Sequence, residues 1–87
     1  METSKAKAGD LILGYKEFVR NAVLEVINAL NGLGASRYEV SLMVTPLISK
    51  RFAGLDLPAE TLDETLEELV KESKVYLTYH RYIRVLP

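Results

Sequence analysis

The sequence predicts a mainly α domain of three main helices with a C-terminal β-hairpin, and three observations carry that reading. Apolar residues recur at three-and-four spacing from Leu11 to Leu30 and again from Leu62 to Val70. Between these runs, Ser36 stands three residues before Glu39, the spacing of a helix-capping box. After Ser73 the period changes to strand alternation. The 87 residues leave room for one core, and 48% hydrophobic with 26% charged residues is a globular composition. A flexible N-terminal tail is expected over residues 1–9 and a single domain over residues 10–87.

Asp10 caps the first expected helix, whose stripe runs Leu11, Tyr15, Phe18, Ala22, Val26 and Leu30, joined by Ile12, Val19, Val23 and Ile27. The Asn31-Gly32-Leu33-Gly34 segment ends it, because glycine adopts positive φ without steric cost. Helix 2 starts at the Ser36 cap and carries Val40, Met43, Val44, Leu47, Ile48 and Phe52. Pro46 lacks an amide and crowds the preceding turn, so a kink or break is expected near Thr45, with Thr45 as the alternative cap of a second short helix. Gly54 closes this region and Leu55 to Pro58 form a turn. Helix 3 then buries Leu62, Leu66, Leu69 and Val70 and ends near Ser73. With Tyr79, His80 and Arg81 as the loop, Val75 pairs with Val85 and Leu77 with Ile83, which places four aliphatic side chains on the inward face. A slip of one residue would turn Arg84 inward.

This order of elements resembles the winged helix-turn-helix family, with the hairpin as the wing. The resemblance is carried by Leu57 to Val85, LPAETLDETLEELVKESKVYLTYHRYIRV, where Leu66, Leu69, Ser73, Val75 and Tyr82 stand at the positions of the family's helix 3 and wing pattern. Ser73-Lys74 replaces a turn that often holds glycine, helix 1 is long, and no strand ahead of helix 2 is evident. The resemblance implies a binding domain, and many members place helix 3 in the DNA major groove.

Charge opposes that docking. From Ala59 to Glu72 the chain carries Glu60, Asp63, Glu64, Glu67, Glu68 and Glu72 against Lys71, a formal −5 within a chain of net charge −1. Such a helix would repel phosphates and release no counterions. Two readings of these acids remain: a solvated face, or a docking surface for a basic protein partner in which Glu64, Glu67 and Glu68 take part. The C-terminal segment has the opposite sign. Lys74, Arg81 and Arg84 face no acid there and alternate with Tyr76, Tyr79, His80 and Tyr82, and Lys50 and Arg51 at the end of helix 2 could extend the patch. A wing contact to nucleic acid is one reading of this set, aided by Lys5 and Lys7 in the tail, and a soluble tyrosine-rich hairpin is the other. Leu13 and Leu24 lie eleven residues apart on one helical line off the core stripe, a position for a homodimer or partner contact or for a wider core.

Catalysis finds no support. His80 is the one histidine, there is no cysteine, and neither a Gly-x-Ser-x-Gly elbow nor a glycine-rich phosphate loop occurs. No metal, cofactor, small-molecule substrate or membrane partner is expected. The missing cysteine favours a cytoplasmic protein, and the missing glutamine and cysteine together suit a thermophile. The expected function is that of a non-enzymatic winged-helix module, an adaptor or accessory subunit of a replication or transcription assembly. The alternative is a DNA-binding transcriptional regulator using the wing and helix 2.

Overall fold

The computed structural model describes residues 3–30 and 33–85, with side chains from residue 14 onward. Helix α1 (Thr3–Ala29) is followed by β1 (Ala35–Ser36), α2 (Arg37–Arg51), α3 (Ala59–Lys71), β2 (Val75–Thr78) and β3 (Arg81–Arg84). The strands form an antiparallel sheet in the order β1-β3-β2. Three helices with a small sheet built on a C-terminal hairpin form the winged-helix layout. The helix α1 begins ahead of Asp10, so residues 3–9, expected as tail, are helical backbone. Lysines and alanines such as Lys5, Ala6, Lys7 and Ala8 are strong helix formers that extend the periodic segment backwards.

The core gathers one stripe from each helix: Val19, Val23, Val26 and Ile27 from α1, Val40, Val44 and Ile48 from α2, and Leu62, Leu66 and Leu69 from α3. Ala35 and Val75 seal it from the sheet. Each buried aliphatic side chain contributes about 2 kcal/mol by leaving water. Tyr15 and Phe18 of α1 pack edge-to-face on Phe52, with ring centroids 5.4 and 5.5 Å apart, and anchor the segment after α2.

Local signals fix the ends. Ser36 Oγ accepts the Glu39 amide at 3.1 Å while Glu39 Oε1 accepts the Ser36 amide at 2.9 Å, the reciprocal capping box. After α1, Gly34 takes φ +75° and donates to the Leu30 carbonyl at 2.9 Å. A Cβ there would stand 2.8 Å from Ile83 Cγ1, so this turn needs glycine for both conformation and space. At the end of α3, Ser73 adopts φ 60° and donates to Val70 O at 3.0 Å, and Lys74 donates to Leu69 O at 2.9 Å. That is a Schellman motif with serine in the left-handed position that glycine usually fills.

Three further expectations change, the first being that a strand, β1, does stand ahead of α2. The helix α2 runs unbroken through Pro46, and Thr45 is an interior residue rather than a cap. Pro46 leaves the Leu42 carbonyl without its amide, but Leu42 and Pro46 lie on the exposed side where water serves that group. Val40, Val44 and Ile48, buried at four-residue intervals, hold the helix to the core across the gap.

The hairpin register also differs by one residue. Val75 pairs with Arg84, Tyr76 with Ile83, Leu77 with Tyr82 and Thr78 with Arg81, around a two-residue turn at Tyr79 and His80. Both turn residues have positive φ, 49° and 63°, the type I′ geometry that matches strand twist. Val75, Leu77, Tyr82 and Arg84 therefore share a face, in place of Val75, Leu77, Ile83 and Val85. The two-residue turn fixes this register, and β1 fits it: Ala35 pairs with Tyr82 and is fully buried, and Tyr82 packs against the core. Ile83 turns to the other face and meets Gly34.

Candidate docking groove beside helix 3

Helix α3 buries Leu62, Thr65, Leu66 and Leu69 and turns its carboxylates to solvent. Some of these hold the fold together. Arg37, at the start of α2, forks onto Asp63. Arg20 of α1 grips Glu72 at 2.7 and 3.0 Å and lies 3.7 Å from Glu68. The Arg37 hydrogen bond holds the Asp63 carboxyl below its ordinary range, and the Arg20 hydrogen bond does the same for Glu72, in each case outweighing desolvation. Glu60, Glu64 and Glu67 are exposed and make no ion pair among the described residues.

Between α3 and the hairpin runs an open groove of about 660 Å³. One wall carries Asp63, Leu66, Glu67, Val70 and Lys71, and the other Leu77 and Tyr82. Val70 and Leu77, expected in the core, are 38% and 53% exposed and form apolar wall on either side. Tyr82, paired with Leu77, packs over the core, and among the described residues no strand covers the outer side of Leu77. The groove thus joins an apolar floor to the free carboxylate of Glu67, with Lys71 beside it and Asp63 held by Arg37. Of the expected protein-binding residues, Glu67 lines it and Glu64 is exposed one turn earlier on α3, whereas Glu68 points towards Arg20.

The expected nucleic-acid set is not brought together. Arg81 does face an acid: its guanidinium lies 3.4 Å from Glu39 and donates to the Gly34 carbonyl at 3.1 Å, tying the hairpin to the α1–β1 turn and to the start of α2. Lys50 and Arg51 sit at the other end of α2, roughly 16 Å further along its axis at 1.5 Å per residue. Arg51 lies over the Phe52 ring at 5.3 Å. Tyr82 packs on the core, and Arg84 is half-buried opposite Val75. Lys74 and Tyr76 are exposed on β2 and its approach, while Tyr79, 93% exposed, and His80 form the tip.

On α1, Leu24 is half-buried and packs against the core, the wider-core reading of its off-stripe position. The side chains of Leu13, Lys5 and Lys7 lie outside the described residues. On α2, Tyr38 and Leu42 are exposed on the side away from the buried stripe, while Met43 and Leu47, expected on that stripe, flank it and are also exposed. The sequence carries this signal, since α2 is apolar around most of its circumference. Among the described residues no cluster of three His, Asp or Glu could hold a metal ion, and no helix is long and apolar enough to cross a membrane. No family model, curated protein or solved structure matches the chain.

Proposed function

We propose that this chain is a non-enzymatic winged-helix binding module, a small cytoplasmic adaptor or accessory subunit of a nucleic-acid-processing assembly, that engages a basic protein partner through α3. One observation carries the reading: the helix that many DNA-binding winged helices present to the duplex here offers Glu60, Glu64 and Glu67 without ion pairs among the described residues, beside an apolar groove. Carboxylates so placed repel phosphate and attract lysine and arginine. Titration of the protein with short duplex and single-stranded DNA at two salt concentrations tests it. No saturable binding is expected at either, whereas salt-sensitive binding that falls on Lys74→Glu/Arg84→Glu would replace the adaptor by a DNA-binding regulator.

That second reading is favoured by Tyr79. An aromatic ring almost wholly in water, on a turn residue with positive φ, costs stability without a packing return, and a stacking contact to a base would supply one. The same titration with Tyr79→Asn decides the point, since that substitution relieves the turn and removes the ring.

A further inference from the structure

We propose that the groove accepts its partner as an added β-strand: an extended, basic segment with apolar residues at alternate positions, paired along the free edge of β2. This rests on the adaptor reading and specifies its partner.

The edge is open. Strand β2 lies at one side of the sheet, and among the described residues nothing pairs with its outer edge. In a two-residue hairpin the residues flanking the turn exchange both backbone hydrogen bonds, and bonded pairs then alternate. Thr78 with Arg81 is such a pair, so Tyr76 with Ile83 is the next, and the Val85 amide reaching Lys74 O at 2.9 Å continues the series. Val75 and Leu77 consequently direct their N–H and C=O groups away from β3. Outside the strand pairing, neither amide donates to a backbone carbonyl among the described residues.

Shortness is the main guard of this edge, which offers four residues with Lys74 just before them. Within the strand, Val75-Tyr76-Leu77-Thr78 has no charge, proline or bulge and is built from strand-forming residues. Leu77 itself lines the groove, which sets the free edge along its wall. A segment paired there would direct every second side chain at Val70 and Leu77, which remain half open without it.

Charge selects the occupant. A second copy pairing edge to edge would bring together two α3 helices whose Glu60, Glu64 and Glu67 make no ion pair among the described residues, which mutual repulsion opposes. A segment with lysine or arginine between its apolar residues instead meets Glu67 on the groove wall and Glu64 and Glu60 beyond it, three free carboxylates against Lys71 on the same wall. The addition of a strand supplies affinity through the main chain, and the groove supplies selection through alternate side chains.

The probe is a peptide of about ten residues alternating valine with lysine or arginine, compared with one of the same composition arranged at helical spacing. Titration of the full chain by fluorescence anisotropy, with amide hydrogen exchange followed residue by residue, is the readout. The alternating peptide should bind about ten-fold tighter than the helical one, slow exchange at Val75 and Leu77, and lose affinity when methylated on the backbone nitrogens that face β2. Glu67→Lys should weaken it. Binding that depends on Glu67 but leaves Val75 and Leu77 exchange unchanged would overturn strand addition while keeping the acidic docking surface. A failure of both peptides to bind, or self-association of the chain through β2, would also overturn it, and indifference to charge reversal at Glu64 and Glu67 would remove the adaptor reading as well.

Discussion

Arg81 of the hairpin lies 3.4 Å from the carboxylate of Glu39, the same carboxylate that caps α2 by accepting the Ser36 amide. One side chain thereby joins the start of a helix to the wing, and Arg81 extends the link to the Gly34 carbonyl. Glu39→Gln should preserve the cap and lose only the ion pair, since glutamine serves equally in a capping box. Glu39→Ala loses both. Thermal unfolding should therefore rank wild type above Glu39→Gln and Glu39→Ala lowest, with Arg81→Ala lowering stability in the wild type more than in Glu39→Ala.

Ser73 holds the left-handed position of the Schellman motif, where a residue with a Cβ costs 1–2 kcal/mol, on the order of what glycine avoids. Ser73→Gly should stabilise the domain by about 1 kcal/mol and raise the unfolding midpoint by roughly 4–8 °C. Differential scanning calorimetry measures this directly, and an unchanged or lower midpoint would contradict the turn geometry.

Gly34 shows the opposite sensitivity. Gly34→Ala adds a Cβ 2.8 Å from Ile83 Cγ1 and 3.2 Å from Tyr82 O at a positive φ. A loss of about 2–3 kcal/mol is expected from the conformational strain and the forced shift of β3, read as a lower denaturant midpoint with an unchanged slope.

Acid should loosen the domain through three carboxylates. Glu39, Asp63 and Glu72 sit below their ordinary values of 4.5, 3.8 and 4.5, chiefly through hydrogen bonds from the Ser36 amide, Arg37 and Arg20. A depressed folded pKa gives stability that is complete above the unfolded value and lost as pH falls through the folded one. The unfolding midpoint should be level above about pH 5 and drop progressively below about pH 4.5. Asp63→Asn should flatten that drop, as one proton-linked contact is removed.

Much of the architecture was legible because its causes are local. The Ser36–Glu39 box, the glycine at 34 and the helical stripes depend on residues a few positions apart, and each element they imply is present. The hairpin register was not legible, because its two-residue turn takes positive φ at Tyr79 and His80, where no glycine or asparagine marks it. The continuity of α2 past Pro46 depends on tertiary burial of Val40, Val44 and Ile48, which offsets a local penalty. The acidity of α3 could be read from composition. The groove beside it could not, since Val70 and Leu77 look like core residues until the sheet is assembled around them.

The measurement closest to the central claim is a comparison of three forms of the protein as bait for its partner: wild type, Glu60→Lys/Glu64→Lys/Glu67→Lys, and Lys74→Glu/Arg84→Glu. These positions avoid Asp63, Glu68 and Glu72, whose replacement would also break contacts to Arg37 and Arg20. The affinity of the captured partner is then determined by titration for each form. The adaptor reading predicts that reversing α3 weakens the complex by about ten-fold or more while the change on the hairpin leaves it near the wild-type value. An unaltered complex with the α3 variant, together with loss of binding in the Lys74→Glu/Arg84→Glu form, would contradict it.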